Sequence, residues 1–146
     1  IFKKDNKTFA SRPVPRWNID ATLENWICEN IVNDFIQVGV SNSLPADDSD
    51  SNITVAHSDS NRNFCLQYII EKSNDIQWLV FYQEKGKPLQ REPSTFISNY
   101  DDIIELDRIN IPLNTWVIFD TSILHSVENV LGNRCAIQIS LNCNPF

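Results

Sequence analysis

Two histidines occur in the chain, His57 and His125, and each stands at the edge of a strand-like run. The first belongs to His57-Ser58-Asp59. Side chains two residues apart on an extended segment leave the same face, so an imidazole and a carboxylate are presented together without any special backbone. His125 lies 68 residues further on and opens His125-Ser126-Val127-Glu128-Asn129, after the apolar run Trp116-Val117-Ile118-Phe119-Asp120 and a short turn. A second imidazole from a distant strand completes a three-ligand face for one metal ion and leaves three octahedral positions open. Arg134 follows nine residues after His125. Its planar guanidinium suits a bidentate contact with a carboxylate. The reading is that His57, Asp59 and His125 meet around one metal ion, and that Arg134 holds the acid group of a co-substrate beside it.

Each residue also has a plainer reading. His57 and Asp59 would form a surface turn, with Asp59 capping Ser60-Asn61. His125 would be a buried strand histidine with one satisfied hydrogen bond. Arg134 would pair with Glu128 across a hairpin through Leu131-Gly132-Asn133. Asp120 would either steer His125 or serve the turn before it. A His-x-Asp triplet alone is a weak signal. Its weight comes from the scarcity of histidine, from the strand-end position of both imidazoles, and from an arginine on the next predicted strand.

The elements that must position these groups are legible in the hydropathy pattern. Leu23, Trp26, Ile27, Ile31 and Phe35 recur at spacings of three and four, which predicts a helix within residues 20–36. Asp20 is its N-cap and Gly39 its stop. From Ile53 onward the chain reads as strands: Ile53–His57, Phe64–Glu71, Ile76–Gln83, Ile103–Ile109, Thr115–Asp120, His125–Asn129 and Arg134–Asn142. The breaks carry turn residues, among them Lys85-Gly86-Lys87-Pro88 and Pro112-Leu113-Asn114. Residues 1–18 read as a polar lead-in with one short strand around Arg16–Ile19. Residues 41–52 read as an acidic loop, either a solvated connection or a rim with a cation site on Asp47, Asp48 and Asp50. Residues 88–102 read as a long connection or a lid. Trp26, Trp78, Phe81 and Phe119 read as core. Strands preceded by one helix predict an all-β barrel or sandwich with the helix packed on its outside.

Bulk properties narrow the class further. The 146 residues predict a single domain, 1–146, with 42% hydrophobic and 21% charged residues. The net charge of -7 and the absence of a basic cluster argue against nucleic acid as a partner. No apolar run approaches the roughly 20 residues of a membrane helix, and no signal peptide is evident. The chain holds no methionine, which reads as a piece processed or trimmed from a longer product. Cys28, Cys65, Cys135 and Cys143 form no Cys-x-x-Cys pair. They are expected as reduced thiols in a cytoplasmic protein, with Cys65 and Cys135 in the core.

The order His57-x-Asp59, His125, Arg134 resembles the 2-oxoglutarate and Fe(II)-dependent oxygenase superfamily over roughly residues 53–142. The run Trp116–Asp120 before His125–Asn129 is similar to the strand and turn that precede the distal histidine of that family. Arg134, within Asn133-Arg134-Cys135-Ala136-Ile137-Gln138-Ile139-Ser140, has the spacing of prolyl-hydroxylase-like and aspartyl/asparaginyl-hydroxylase-like members. The resemblance implies a double-stranded β-helix, that is, a jelly-roll or cupin-like barrel, with the N-terminal helix outside. It implies His57, Asp59 and His125 as catalytic iron ligands and Arg134 as the partner of 2-oxoglutarate. Tyr68 or Gln67 would assist from a neighbouring strand, and Arg62 would lie near the site. Asp59 departs from aspartyl β-hydroxylases proper, which lack the carboxylate ligand, and from halogenases. The implied activity is hydroxylation of a C–H bond of a protein side chain, amino acid or small metabolite, with dioxygen as the second co-substrate. A cupin-like barrel that binds metal or ligand without turnover is the alternative, and a cupin isomerase a third. Three glycines and two histidines weigh against the cupins.

Overall fold

The computed structural model describes residues 2–4, 7–44, 56–86, 95–96 and 100–146; residues 2–4, 7–13, 43–44 and 95–96 are described by their backbone alone. In chain order the elements are β1 (Phe2–Lys4), β2 (Lys7–Pro15), α1 (Ala21–Asn30), β3 (Gln37–Leu44), β4 (His57–Ser58) and β5 (Phe64–Lys72). They continue with β6 (Trp78–Glu84), β7 (Thr95–Phe96), β8 (Ile103–Ile109), β9 (Trp116–Asp120), β10 (Leu124–Glu128) and β11 (Arg134–Leu141). The fold is mostly β. Among the described residues two antiparallel sheets form, one ordered β1-β2-β3-β11-β5-β9 and the other β7-β4-β10-β6-β8.

Strand alternation sorts the side chains into layers. On β5, Leu66 points outward and joins Ile139 and Leu141 of β11 against Ile27, Val32 and Phe35. Helix α1 and the turn after it thus cover the outer face of the first sheet. Each large side chain buried there contributes about 1.5–3 kcal/mol. Ile69 of β5 and Ala136 of β11 point the other way and meet Leu79, Phe81 and Val127 of the second sheet. Val117 and Phe119 of β9 close the same inter-sheet layer. The outer face of the second sheet has its own cluster, Ala56, Val80, Tyr82, Ile103 and Leu124. Among the described residues no helix is long and apolar enough to cross a membrane. All four cysteines are unpaired.

Several local expectations differ from the structure. Asp20 does cap α1, its Oδ1 accepting from Thr22 N–H at 2.9 Å. The helix ends at Asn30, however, and Gly39 lies inside β3, paired with Gln138 and Pro13. Polar residues 41–43 extend β3 because β11 and β2 satisfy its backbone on both sides. Residues 16–18 form a 3-10 turn in place of a strand, and β2 lies in the lead-in. Trp26 is 53% exposed, since the short helix aims Ile27 at the sheet. Cys65 is buried and Cys135 half-buried. Asp47, Asp48, Asp50 and most of 88–99 lie outside the described residues.

Candidate metal centre

Two sheet-to-sheet crossings bring the ligands together. β4 and β10 are neighbours, and His57 and His125 are register partners on them. Their rings stand 4.6 Å apart, tilted by 48°. Asp59 follows β4 on the same side, with its Oδ1 3.7 Å from Nε2 of His57. One donor atom from each of His57, Asp59 and His125 lies within 4.8 Å of the others. An ion with bonds of about 2.1 Å holds ligands on one octahedral face roughly 3 Å apart. Donors up to 4.8 Å apart therefore have to draw together by as much as about 1.8 Å, through side-chain rotation.

Of the three donors, His125 has its protonation fixed by its surroundings. His125 is 4% exposed, and burial followed by the neighbouring His57 pushes its pKa down to about 4, so the ring is neutral at ordinary pH. Its Nδ1 lies 2.8 Å from the Ile123 carbonyl oxygen. A carbonyl only accepts, so Nδ1 carries the proton and Nε2 keeps the lone pair for a metal. Phe119 stands edge-on to His125 at 5.4 Å, and Phe81 lies opposite His125 on β6.

Thr121 fastens the turn before His125 to the loop carrying Asp59. Its carbonyl accepts from Asp59 N–H at 2.9 Å, its N–H donates to the Asn63 carbonyl at 2.9 Å, and its hydroxyl donates to the Arg62 carbonyl at 2.9 Å. Nothing in the sequence marks this threonine, because its role depends on two turns meeting. Asp120 takes the turn role: its Oδ1 accepts from Ser122 N–H at 2.8 Å and from the Ser122 hydroxyl at 2.6 Å.

Arg134 opens β11 and is 4% exposed. It does not pair with Glu128, because β10 and β11 belong to different sheets and their connection is no hairpin. Glu128 instead accepts from the Tyr82 hydroxyl at 2.8 Å. One Arg134 nitrogen, Nη2, donates to Gln67 Oε1 at 3.2 Å, and the buried Nε has no partner. Burial pushes the guanidinium down to about 10, so it stays charged at neutral pH with its hydrogen bonding unfinished. Such a group calls for a carboxylate. Cys65 is buried, which pushes its thiol up to about 11, and its Sγ accepts from Arg62 Nη1 at 3.4 Å.

Tyr68 does not join this group. It alternates with Gln67 on β5 and points to the opposite face, against Trp116 at 5.0 Å with its hydroxyl 3.3 Å from Asn114 Oδ1. Of the two candidates on that strand, Gln67 is the one beside Arg134. Arg62 lies at the site, its Nε 2.6 Å from Asp59 Oδ2.

No family model matches the chain, and no curated protein sequence matches it. Among solved structures it is similar to peruvianin-I, a cysteine peptidase from Thevetia peruviana latex, at 16% identity and a TM-score of 0.47 over 94% of this chain and 64% of that one. It is also similar to CapF in complex with the inhibitor 3-isopropenyl-tropolone, at 16% identity and a TM-score of 0.39 over 73% of this chain and 25% of that one. The chain thus spans less than two thirds of either neighbour, and likenesses at this level carry no argument about activity.

Proposed function

We propose that this chain is an Fe(II)- and 2-oxoglutarate-dependent dioxygenase that hydroxylates a C–H bond of a protein side chain, amino acid or small metabolite. The observation that carries this reading is the convergence of His57 of β4, Asp59 just after it and His125 of β10. The unfinished hydrogen bonding of buried Arg134 adds to it. Two imidazoles and one carboxylate with open positions suit non-haem Fe(II). The strand pairing supports a jelly-roll barrel. β3 pairs with β11, β4 with β10, β5 with β9 and β6 with β8, as in one long two-stranded ribbon folded over itself.

When bound, Fe(II) supplies dioxygen activation in the overall reaction of R–H, O2 and 2-oxoglutarate to R–OH, succinate and CO2. His57, His125 and Asp59 would hold the ion from one side and leave the other to co-substrate and dioxygen. Arg134 would bind one carboxylate of 2-oxoglutarate, and Gln67 would fix the guanidinium through its 3.2 Å bond. Phe81 and Phe119 would keep water from the His125 side.

The test is succinate formation from 2-oxoglutarate with added Fe(II), in wild type and in a His57→Ala/Asp59→Ala double variant. Wild-type succinate that disappears in the double variant supports the reading. Equal turnover by both proteins removes it. Metal and 2-oxoglutarate binding with no succinate from any substrate tried would identify a binding barrel instead.

A further inference from the structure

The two carboxylate oxygens of Asp59 face different partners. Oδ1 lies 3.7 Å from His57 Nε2, on the metal face. Oδ2 accepts from Arg62 Nε at 2.6 Å, in a pair whose side chains are only 13% and 14% exposed. Arg62 is itself anchored on the first sheet, by β11 and β5. Its Nη1 donates to the Ser140 hydroxyl at 3.4 Å and to Cys65 Sγ at 3.4 Å. Ser140 also accepts from Gln37 Nε2 at 3.2 Å. A continuous path therefore runs from β3 through β11 and Arg62 to the carboxylate ligand.

We propose that Arg62 is a positioning residue for the metal: it occupies Oδ2, so that Asp59 meets the ion through Oδ1 alone and one further coordination position stays open. This role rests on the metal face assigned above. A free carboxylate can chelate a divalent ion with both oxygens. Here an ion that took Oδ2 as well would compete for that oxygen with a short, charge-assisted bond from a mostly buried guanidinium. Three single-atom ligands leave three octahedral positions, enough for a chelating 2-oxo acid and dioxygen. A chelating Asp59 would leave two.

The number of waters on bound Mn(II), read from water-proton relaxation, tests this without turnover. The wild-type complex should carry three waters. Arg62→Met should change the relaxation by about a third, downward if Asp59 chelates or upward if it swings away. Arg62→Lys should return the wild-type value. Arg62→Ala, which also removes the donor, serves if the methionine variant does not fold. An unchanged water count in the variant that folds overturns the role, as does a wild-type complex with two waters. Failure of the wild-type protein to bind Mn(II) overturns it together with the metal face. Three waters that change as expected, in a protein that forms no succinate with Fe(II), remove the oxygenase reading alone.

Discussion

Replacing Arg134 by methionine should move fold stability and co-substrate binding in opposite or unequal ways. The substitution keeps a long side chain and removes the charge. In the protein without co-substrate, burial lowers the Arg134 pKa from its ordinary 12.5 to about 10, a difference worth roughly 3 kcal/mol against the charged form. Arg134→Met removes that penalty and leaves Gln67 Oε1 without its donor, a loss of about 1–3 kcal/mol. The net change is neutral to stabilising by about 2 kcal/mol. Binding of 2-oxoglutarate should instead weaken by about 2–5 kcal/mol, or roughly 30-fold to several-thousand-fold, because a buried charged partner is gone. Thermal unfolding with Mn(II), with and without 2-oxoglutarate, reads both effects. Ligand at a hundred times its Kd stabilises wild type by about 2.7 kcal/mol, a rise of roughly 5–10 °C for a domain near this size. The variant should melt no lower than wild type without ligand and rise by no more than about 3 °C with it, since a roughly 30-fold weaker site still gains about 0.9 kcal/mol. A variant that melts well below wild type and keeps the full ligand-induced rise would refute the argument, since Arg134 would then be a structural cation.

Three further outcomes follow from particular contacts. His125 has its pKa lowered to about 4 from 6.5, so the unfolded chain takes up the proton first. The stability it contributes is complete above pH 6.5, declines as pH falls through that window, and is lost below about pH 4, roughly 3 kcal/mol in all. The difference in urea-unfolding free energy between wild type and His125→Phe should shrink correspondingly between pH 7.5 and 4.5; a pH-independent difference would contradict it. A Cβ on Gly132 would stand 2.5 Å from Ser73 Cβ, so Gly132→Ala should cost about 1–3 kcal/mol. Ser73→Gly should recover most of that in the double variant, measured by urea midpoints. Tyr68→Phe should leave the affinity for 2-oxoglutarate within about twofold of wild type, because Tyr68 faces Trp116; a tenfold loss in a titration would place it in the site after all.

The strands from Phe64 onward were legible because β-branched and aromatic runs alternate with turn residues. Those near the N-terminus were not. β3 carries Ser41, Asn42 and Ser43, whose side chains suggest a loop; backbone pairing with β2 and β11 overrides that preference. The helix was overextended because Ile31 and Phe35 continue its apolar spacing, yet both pack on the sheet from the turn beyond Asn30.

For the site, the sequence by itself determined which residue types were available: two imidazoles, a carboxylate two positions from one of them, and an arginine after the other. Hydropathy and turn chemistry placed these at strand ends, since both act over a few residues. Only the tertiary structure decided that β4 lies beside β10, which sets His57 against His125. It alone sent β10 and β11 to different sheets, which separates Arg134 from Glu128, the partner of its plainer reading, and sets it beside Gln67 in a buried layer. Tyr68 and Gln67 were equivalent on paper, because alternation fixes that neighbours face opposite ways and leaves open which faces inward. That choice depends on which side of β5 meets α1 and which meets the second sheet, a packing outcome spread over the whole chain.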